Sequence, residues 1–147
     1  MISEYRIKAV IGFFVFLTVL APAGNAATTA DVAVKKCAIA DSHAGQRECL
    51  IALAASVEVY LKTAEKAALQ RIDKWDEDEN YRTTAKVLFM KSIEAFSRYK
   101  EIQCDFLRTL AAGGNGAGDM QLECVVGLIK QRITQIESDT VGLTTVR

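Results

Sequence analysis

The sequence predicts an all-α fold: a long antiparallel helical hairpin plus a shorter third helix, stapled by two disulfides. Apolar residues recur at steps of three or four in three separate stretches, which is the period of amphipathic helices. No stretch alternates apolar and polar residues as a half-buried strand would, and the single proline precedes all three stretches. Four cysteines follow that proline, an even number that favours disulfide pairing in an oxidising compartment.

The N-terminus has the three parts of a secretory signal peptide. A basic start ("MISEYRIK") precedes an apolar run ("AVIGFFVFLTVL"), and small residues follow it ("APAGNAATTA"). The run breaks at Pro22, short of the roughly 20 apolar residues that a membrane-spanning helix needs. We expect a signal peptide at 1–26, cleaved after Ala26 or, as a second choice, after Ala23, with no stable membrane insertion afterwards.

The rest of the chain, 27–147, is predicted to form a single helical domain with its core at about 37–137. Loss of Glu4, Arg6 and Lys8 with the leader takes the 18 basic and 18 acidic residues to 16 and 17, a net charge of −1. This balance gives no sign of a surface for nucleic acid. We therefore expect a periplasmic or secreted protein with no nucleic-acid partner.

The predicted helices span about 44–75, 83–111 and 119–137. The acidic segment 76–80 ("DEDEN") joins the first two, and the glycine-rich segment 113–118 ("GGNGAG") joins the second to the third. Such short connections make neighbouring helices antiparallel. The three apolar stripes are Leu50, Leu53, Val57, Leu61, Ala64, Ala68, Ile72 and Trp75; Phe89, Ile93, Phe96, Tyr99, Ile102, Phe106 and Leu110; and Leu122, Val125, Ile129, Ile133 and Ile136.

The third predicted helix is the shortest, about 28 Å against about 48 and 44 Å at 1.5 Å per residue. It is expected to cover the hairpin near the glycine-rich segment and to leave the acidic end as two helices only. Asp119 is the predicted N-cap of this helix, and Gly113 is the predicted left-handed glycine that ends the second. Residues 27–43 and the tail after Ser138 are predicted to be loose, with a short helical turn near Val34.

The four cysteines are predicted to pair in sequence order, Cys37 with Cys49 and Cys104 with Cys124. The second bridge would fasten the two helices that flank the glycine-rich segment, where the chain reverses direction. Cys49 and Cys104 also lie at similar heights in neighbouring helices, so a 49–104 pairing with 37–124 stays open. The spacings of 12 and 20 residues do not fit a zinc site.

Residue types suited to catalysis are sparse. The single histidine, His43, lies in a predicted loose stretch and is expected to be solvated, and no nucleophile stands ready beside it once the thiols pair. The sequence has no phosphate-binding loop, dinucleotide fingerprint or metal box. Phe96, Tyr99 and Phe106 are interpreted as core. We expect no enzyme activity, no cofactor and no metal.

Binding is therefore the expected role, through a protein partner. The first predicted contact surface is the acidic connection between the first two helices, where one tryptophan stands among carboxylates that would attract a basic partner. Its residues are Asp73, Trp75, Asp76, Glu77, Asp78 and Glu79. The second candidate is the glycine-rich segment, Gly113 to Gly118, with Asn115 at its tip.

The second half of the chain resembles the LprI-like lysozyme-inhibitor family of small exported helical domains with four cysteines. The segments that carry the resemblance are "AFSRYKEIQC", "GGN", Cys124 and "LIKQR". Phe96 stands where the family tends to have Trp, Lys100 where it has Arg, and Ile129 where it has Thr, whereas Arg132 matches. In the first half, "YLKTAEKAAL" matches more loosely, with Glu65 in place of Asp.

The resemblance covers roughly 37–137 and implies a helical periplasmic domain and, for some members, inhibition of lysozyme. It does not transfer any lysozyme-contacting residue to this chain. The leading hypothesis is an exported inhibitor that blocks a muramidase sterically, with lysozyme as its partner. The alternative is an envelope interaction, stress or chaperone-like helical module with no lysozyme partner. The two differ in whether the purified protein slows lysis of cell walls.

Overall fold

The computed structural model describes residues 33–144, and the predicted signal peptide at 1–26 lies outside them. A short helix, α1, occupies 33–38 and is followed by three long helices and a final 3₁₀ turn. The long helices are α2 (His43–Asp73), α3 (Glu79–Leu110) and α4 (Ala117–Thr140), and the turn is Val141–Thr144. Residues 33–144 contain no strand, so the all-α prediction is confirmed.

The three long helices run up, down and up, so that α2 and α4 are parallel and α3 is antiparallel to both. At the starts of the parallel pair, His43 of α2 meets Asp119 of α4, and near their ends Arg71 meets Thr140. Helix α4 makes the most extensive contacts with both neighbours, whereas α2 and α3 touch each other little. The third helix, and not the hairpin, therefore organises the domain.

Two predictions about helix length were wrong at the acidic end. Helix α4 continues to Thr140, and the 3₁₀ turn beyond it also packs against α2. The expected loose tail after Ser138 is therefore ordered as far as residue 144. Since Thr140 reaches Arg71 in the last turn of α2, the acidic end is a three-helix bundle and not a bare hairpin.

The core contains one stripe from α2 and one from α4. The predicted stripe of α2 is buried almost throughout, with Leu50 and Ala68 fully shielded from solvent. Helix α4 contributes Ile129 and Ile136 as predicted, together with Val126, which the predicted stripe omitted. Burial of such side chains contributes about 1.5–3 kcal/mol each to folding.

Helix α3 departs from its predicted stripe, because its only fully buried residue is Cys104. Phe89 and Phe96 pack against the core, but Tyr99 and Phe106 are each 53% exposed, and Ile102 and Leu110 are exposed too. The interpretation of Tyr99 and Phe106 as core residues was therefore wrong. Between Ile93 and Ile102 the predicted stripe advances three times in a row by three residues. Each of these steps falls about 60° short of a full turn, so the stripe turns away from the core.

The predicted disulfide connectivity is confirmed. Cys37 pairs with Cys49, fastening α1 to the start of α2, and Cys104 pairs with Cys124 between α3 and α4. Between these two helices the chain turns through left-handed backbone at Ala112 (φ 49°) and at Gly113 (φ 79°), as predicted for the glycine. No cysteine among the four is free.

The start of α4 is fastened to the start of α2 by a contact that the sequence did not predict. The N-cap of α4 is Gly116 and not Asp119. The buried carboxylate of Asp119 instead lies 2.7 Å from Nε2 of His43 and 3.5 Å from Nη1 of Arg47. His43 is thus the first residue of α2 and not a loop residue; its side chain is 55% exposed, as expected, but also pairs with the neighbouring helix. A side chain at Gly118 would lie within 3 Å of the Arg47 guanidinium, so it would require the Arg47 side chain to move.

Candidate functional site

The acidic turn, residues 73–79, connects α2 to α3 and carries all the residues of the first predicted contact surface. Asp76, Glu77 and Glu79 are exposed, and none of them has an ion pair or a side-chain hydrogen bond within residues 33–144. Their charges are therefore available to an approaching basic protein.

Two other carboxylates of the acidic turn have structural partners. Asp78 is the N-cap of α3, and its Oδ1 accepts a hydrogen bond of 2.8 Å from the backbone N–H of Asn80. Asp73 forms an ion pair with Lys86, about two turns into α3. Any experiment that tests the charge of this surface should leave Asp78 in place, because losing an N-cap costs about 1 kcal/mol.

The backbone of the acidic turn is held by its own hydrogen bonds. The N–H of Trp75 donates to the Ile72 carbonyl (3.3 Å), and the N–H of Glu77 donates to the Trp75 carbonyl (2.9 Å). The Trp75 side chain is half-buried, so part of its ring remains available to a partner. A turn ordered before binding loses less conformational entropy when it docks.

Helix α4 delivers further carboxylates to the same end of the bundle. The Arg71 guanidinium donates a 2.9 Å hydrogen bond to Oγ1 of Thr140, which fixes the last turn of α4 beside the last turn of α2. Glu137 and Asp139 precede Thr140 on α4 and are exposed. The acidic end therefore presents carboxylates from two connected parts of the chain, which the prediction from the sequence had missed.

The glycine-rich turn, residues 112–116, contains most of the second predicted contact surface, Gly113 to Gly118, of which Ala117 and Gly118 belong to α4 and are half-buried. It is exposed, Asn115 included, and the N–H of Gly114 donates to the Ala111 carbonyl at 2.8 Å. The turn carries no charge and no aromatic side chain. It lies directly between two helices that a disulfide joins, and its shape is explained by that connection alone.

Midway along the bundle, polar side chains from all three long helices form a cluster, here called the waist cluster: Glu58, Glu65, Ser92, Lys100 and Arg132. Glu58 of α2 forms an ion pair with Lys100 of α3. Arg132 of α4 donates to Oγ of Ser92 at 2.7 Å and stacks over the Phe96 ring at 5.6 Å.

Glu65 completes the waist cluster from α2. Burial raises the pKa of its carboxyl above the ordinary 4.5, and the nearby Glu58 charge acts in the same direction. Arg132 and Lys100 oppose that rise in pKa. Three positions compared with the family pattern, the match Arg132 and the replacements Glu65 and Lys100, thus converge in one place. There they link helices to one another and do not form an outward contact surface.

The described residues form no cluster of side chains suited to hold a metal ion. Within 33–144 no group of three or more His, Cys, Asp or Glu side chains is placed to hold a metal ion. All four thiols are consumed in disulfides, so the His43–Asp119 pair has no cysteine nucleophile to activate. In the same part of the chain, no helix has the length and apolarity required to cross a membrane.

Comparison with known proteins adds one finding to this geometry. A family model described as "Lysozyme inhibitor LprI" matches residues 25–136, which include α1, α2, α3 and most of α4. Comparisons with curated proteins and with solved structures gave no match. The matched span contains both disulfides, the acidic turn and the waist cluster. The chain belongs to the LprI lysozyme-inhibitor family.

Proposed function

We propose that this protein is an exported, non-enzymatic inhibitor of a lysozyme-type muramidase that acts by occluding the cleft of that enzyme. Family membership carries the proposal, since the matching family is one of lysozyme inhibitors. Two disulfides agree with an oxidising compartment outside the cytoplasm, either the periplasm or the medium. No cofactor is part of this mechanism.

The acidic turn is the surface we assign to the lysozyme. Asp76, Glu77 and Glu79 would attract a basic enzyme over several ångströms, and the half-buried Trp75 would then pack against it at short range. A bundle of three helices, each about 10–12 Å wide with its side chains, is much broader than the turn that connects α2 to α3. Only the turn enters, while the bundle behind it excludes the substrate.

The first experiment measures lysis of cell walls by turbidity, with the purified oxidised protein and lysozymes of several types. We expect at least one lysozyme type to be inhibited. The inhibition should reach its maximum once the inhibitor is in molar excess over the lysozyme. If no lysozyme type is inhibited by the folded protein, the lysozyme proposal is wrong. The envelope interaction, stress or chaperone-like module would then be the function to pursue.

The second experiment locates the surface. The double variant Asp76→Lys, Glu77→Lys should slow association several-fold at low salt, and the loss should shrink as salt rises toward physiological strength. Its matched control is Asp41→Lys, Glu48→Lys, which makes the same change in net charge with two exposed residues at the other end of the bundle. Equal effects of the two variants would show that net charge and not the acidic turn steers association.

A third variant separates steering from packing. Trp75→Ala removes no charge, so association should be nearly unchanged while dissociation becomes faster. If Trp75→Ala and the double charge reversal both leave the kinetics unaltered, the contact surface lies elsewhere. The glycine-rich turn would be tested next, with Asn115→Ala.

A further inference from the structure

The outward face of α3 is unusually apolar for a monomer. Of the 14 large hydrophobic residues that are exposed among the described residues, eight belong to this helix. Single exposed apolar residues are ordinary, but a continuous row of them marks an interaction surface. The eight are Tyr81, Val87, Leu88, Met90, Tyr99, Ile102, Phe106 and Leu110.

Most of these residues fall on one regular row, here called the outer seam. It has nine positions, and successive positions are separated alternately by four and by three residues. This is the spacing of a coiled-coil seam, here sustained over four heptads. None of the nine is charged. The seam consists of Tyr81, Ala85, Leu88, Ser92, Ala95, Tyr99, Ile102, Phe106 and Thr109. Seven of these are exposed; Ala85 and Ser92 are half-buried, and Ser92 lies at the inner edge of the seam, where its hydroxyl accepts the bond from Arg132.

The charges that border the outer seam are self-complementary. Lys91, Glu94, Arg98 and Glu101 are all exposed, and none has an ion pair within residues 33–144. They alternate in sign along the helix. Suppose that a second α3 lies antiparallel to the first, with the two residues 96 opposite each other. Glu94 is then level with Arg98 of the copy, and Lys91 is level with Glu101 of the copy. Every charge then meets the opposite sign.

We propose that the outer seam binds a second copy of this chain, with two α3 helices antiparallel about a two-fold axis near residue 96. Ala95 lies at that axis, and its small side chain permits the two helices to approach closely. Leu88 of each copy then packs beside Ile102 and Phe106 of the other. The acidic turns, at the N-terminal ends of α3, point away from each other at opposite ends of the dimer.

The size of the seam indicates how tight such a dimer is. Twenty-eight residue steps at 1.5 Å give a length of about 42 Å, and a helix is about 11 Å wide. The two copies together would bury roughly 900 Å², which is the range of weak, reversible association and not of an obligate dimer. We expect a monomer–dimer equilibrium with a dissociation constant of about 10–100 μM.

Sedimentation of the exported, oxidised protein across about 5–500 μM tests the dimer directly. Ile102→Glu should weaken self-association at least tenfold. Val59→Glu is the matched control, because Val59 has the same 64% exposure as Ile102 but lies on α2, away from the seam. A protein that stays monomeric throughout, or equal effects of the two variants, would overturn the proposal.

A charge swap tests the antiparallel register. Glu94→Arg alone and Arg98→Glu alone should each weaken the dimer several-fold, because each places like charges opposite one another at two symmetric points. The double variant restores both pairs and should return the dissociation constant to within about twofold of the wild type. Losses that simply add in the double variant would exclude this register.

Other occupants of the seam give different results in these measurements. A chain that is monomeric up to 500 μM but binds anionic vesicles would assign the seam to a lipid surface, and the second-copy proposal would be wrong. The lysis assay is read separately, because both acidic turns stay free in the dimer. Loss of inhibition therefore bears on the proposed function, and loss of self-association bears on the seam.

Discussion

The two ends of the bundle are held in different ways. At the end that carries the glycine-rich turn, both disulfides lie within two turns of the helix termini, and Asp119 is buried between His43 and Arg47. At the acidic end no disulfide joins the helices. Its polar links are the hydrogen bond from Arg71 to Thr140 and the half-exposed ion pair of Lys86 with Asp73.

This difference separates stability from recognition. At the end with the glycine-rich turn, the Cys104–Cys124 bridge fixes α3 to α4 and the Asp119 contacts hold α4 to α2, so the acidic end does not have to contribute much to the fold. The carboxylates of the acidic turn can consequently face solvent, because those positions do not have to be apolar and packed into the core. We expect local opening to cost least at the acidic end, because surfaces that bind are commonly drawn from the less stable parts of a domain.

The largest expected effect comes from removing the covalent link between α3 and α4. Cys104→Ser, Cys124→Ser should lower the free energy of unfolding by about 2–4 kcal/mol, since the bridge closes a loop of 20 residues. Denaturant unfolding followed by circular dichroism measures this, and helix content before unfolding should hardly change.

The other disulfide provides the comparison for that variant. Cys37→Ser, Cys49→Ser opens a loop of 12 residues, and the chain-entropy model gives about 0.5 kcal/mol less for it. If the Cys104–Cys124 variant were as stable as the wild type, packing alone would hold the glycine end, and the contrast between the ends would disappear.

The next effect is that of the buried carboxylate. Asp119→Ala should cost about 1–2 kcal/mol, because it removes the partner of His43 and Arg47 and a negative charge from the first turn of α4. Both partners are about half exposed and regain water, which keeps the cost at the low end for a charged pair. The control, Asp139→Ala, alters an exposed carboxylate of the same helix and should stay within about 0.5 kcal/mol.

A smaller effect is expected from the corresponding contact at the acidic end. Thr140→Val keeps the shape of the side chain but removes the acceptor for Arg71, at a cost of about 1 kcal/mol. Amide exchange should become faster in the last turn of α4 and remain unchanged near Asp119. Thr134→Val is the matched control, since Thr134 bonds the carbonyl four residues earlier just as Thr140 does, but has no arginine partner. Equal effects at both ends would mean that the domain opens only as a whole.

What could be predicted from the sequence was mainly local in the chain. The three long helices and the pairing of the cysteines follow from periodicity and from short separations, and both predictions are confirmed. The acidic segment was correctly predicted to be an exposed connection, although α3 begins at Glu79 and not at about 83 as predicted. Whether it binds a partner stays a prediction, because exposure and charge describe availability and not use.

The predictions that failed depend on contacts between distant segments. Asp119 and His43 are 76 positions apart, so no spacing rule connects them, and a carboxylate near a helix start resembles an N-cap in sequence. The extension of α4 to Thr140 rests on its bond with Arg71, which only the packed bundle creates. Helix α3 carries apolar residues on two faces, and a single periodic stripe cannot tell which of them faces inward.

The waist cluster lies between the two ends, and Glu65 provides the smallest effect, a dependence of stability on pH. Burial raises the pKa of this carboxyl in the folded state above the ordinary 4.5. The folded chain then holds the proton more tightly than the unfolded chain does. Stability contributed by Glu65 is therefore greatest below about pH 4.5 and falls as the pH rises through the elevated folded pKa.

The variant Glu65→Gln removes this titration while keeping the size of the side chain. Its free energy of unfolding relative to the wild type should increase between pH 4 and pH 7 and level off above the folded pKa of Glu65. The increase should be small, because the carboxyl is only partly buried and solvent screens it. Denaturant unfolding at four or five pH values measures the difference. The opposite trend would mean that attraction by Arg132 and Lys100 lowers the pKa of Glu65 more than burial raises it. Glu65 would then stabilise the waist cluster as an ion-pair partner. In either case amide exchange at the two ends should change together, because the waist cluster touches all three long helices.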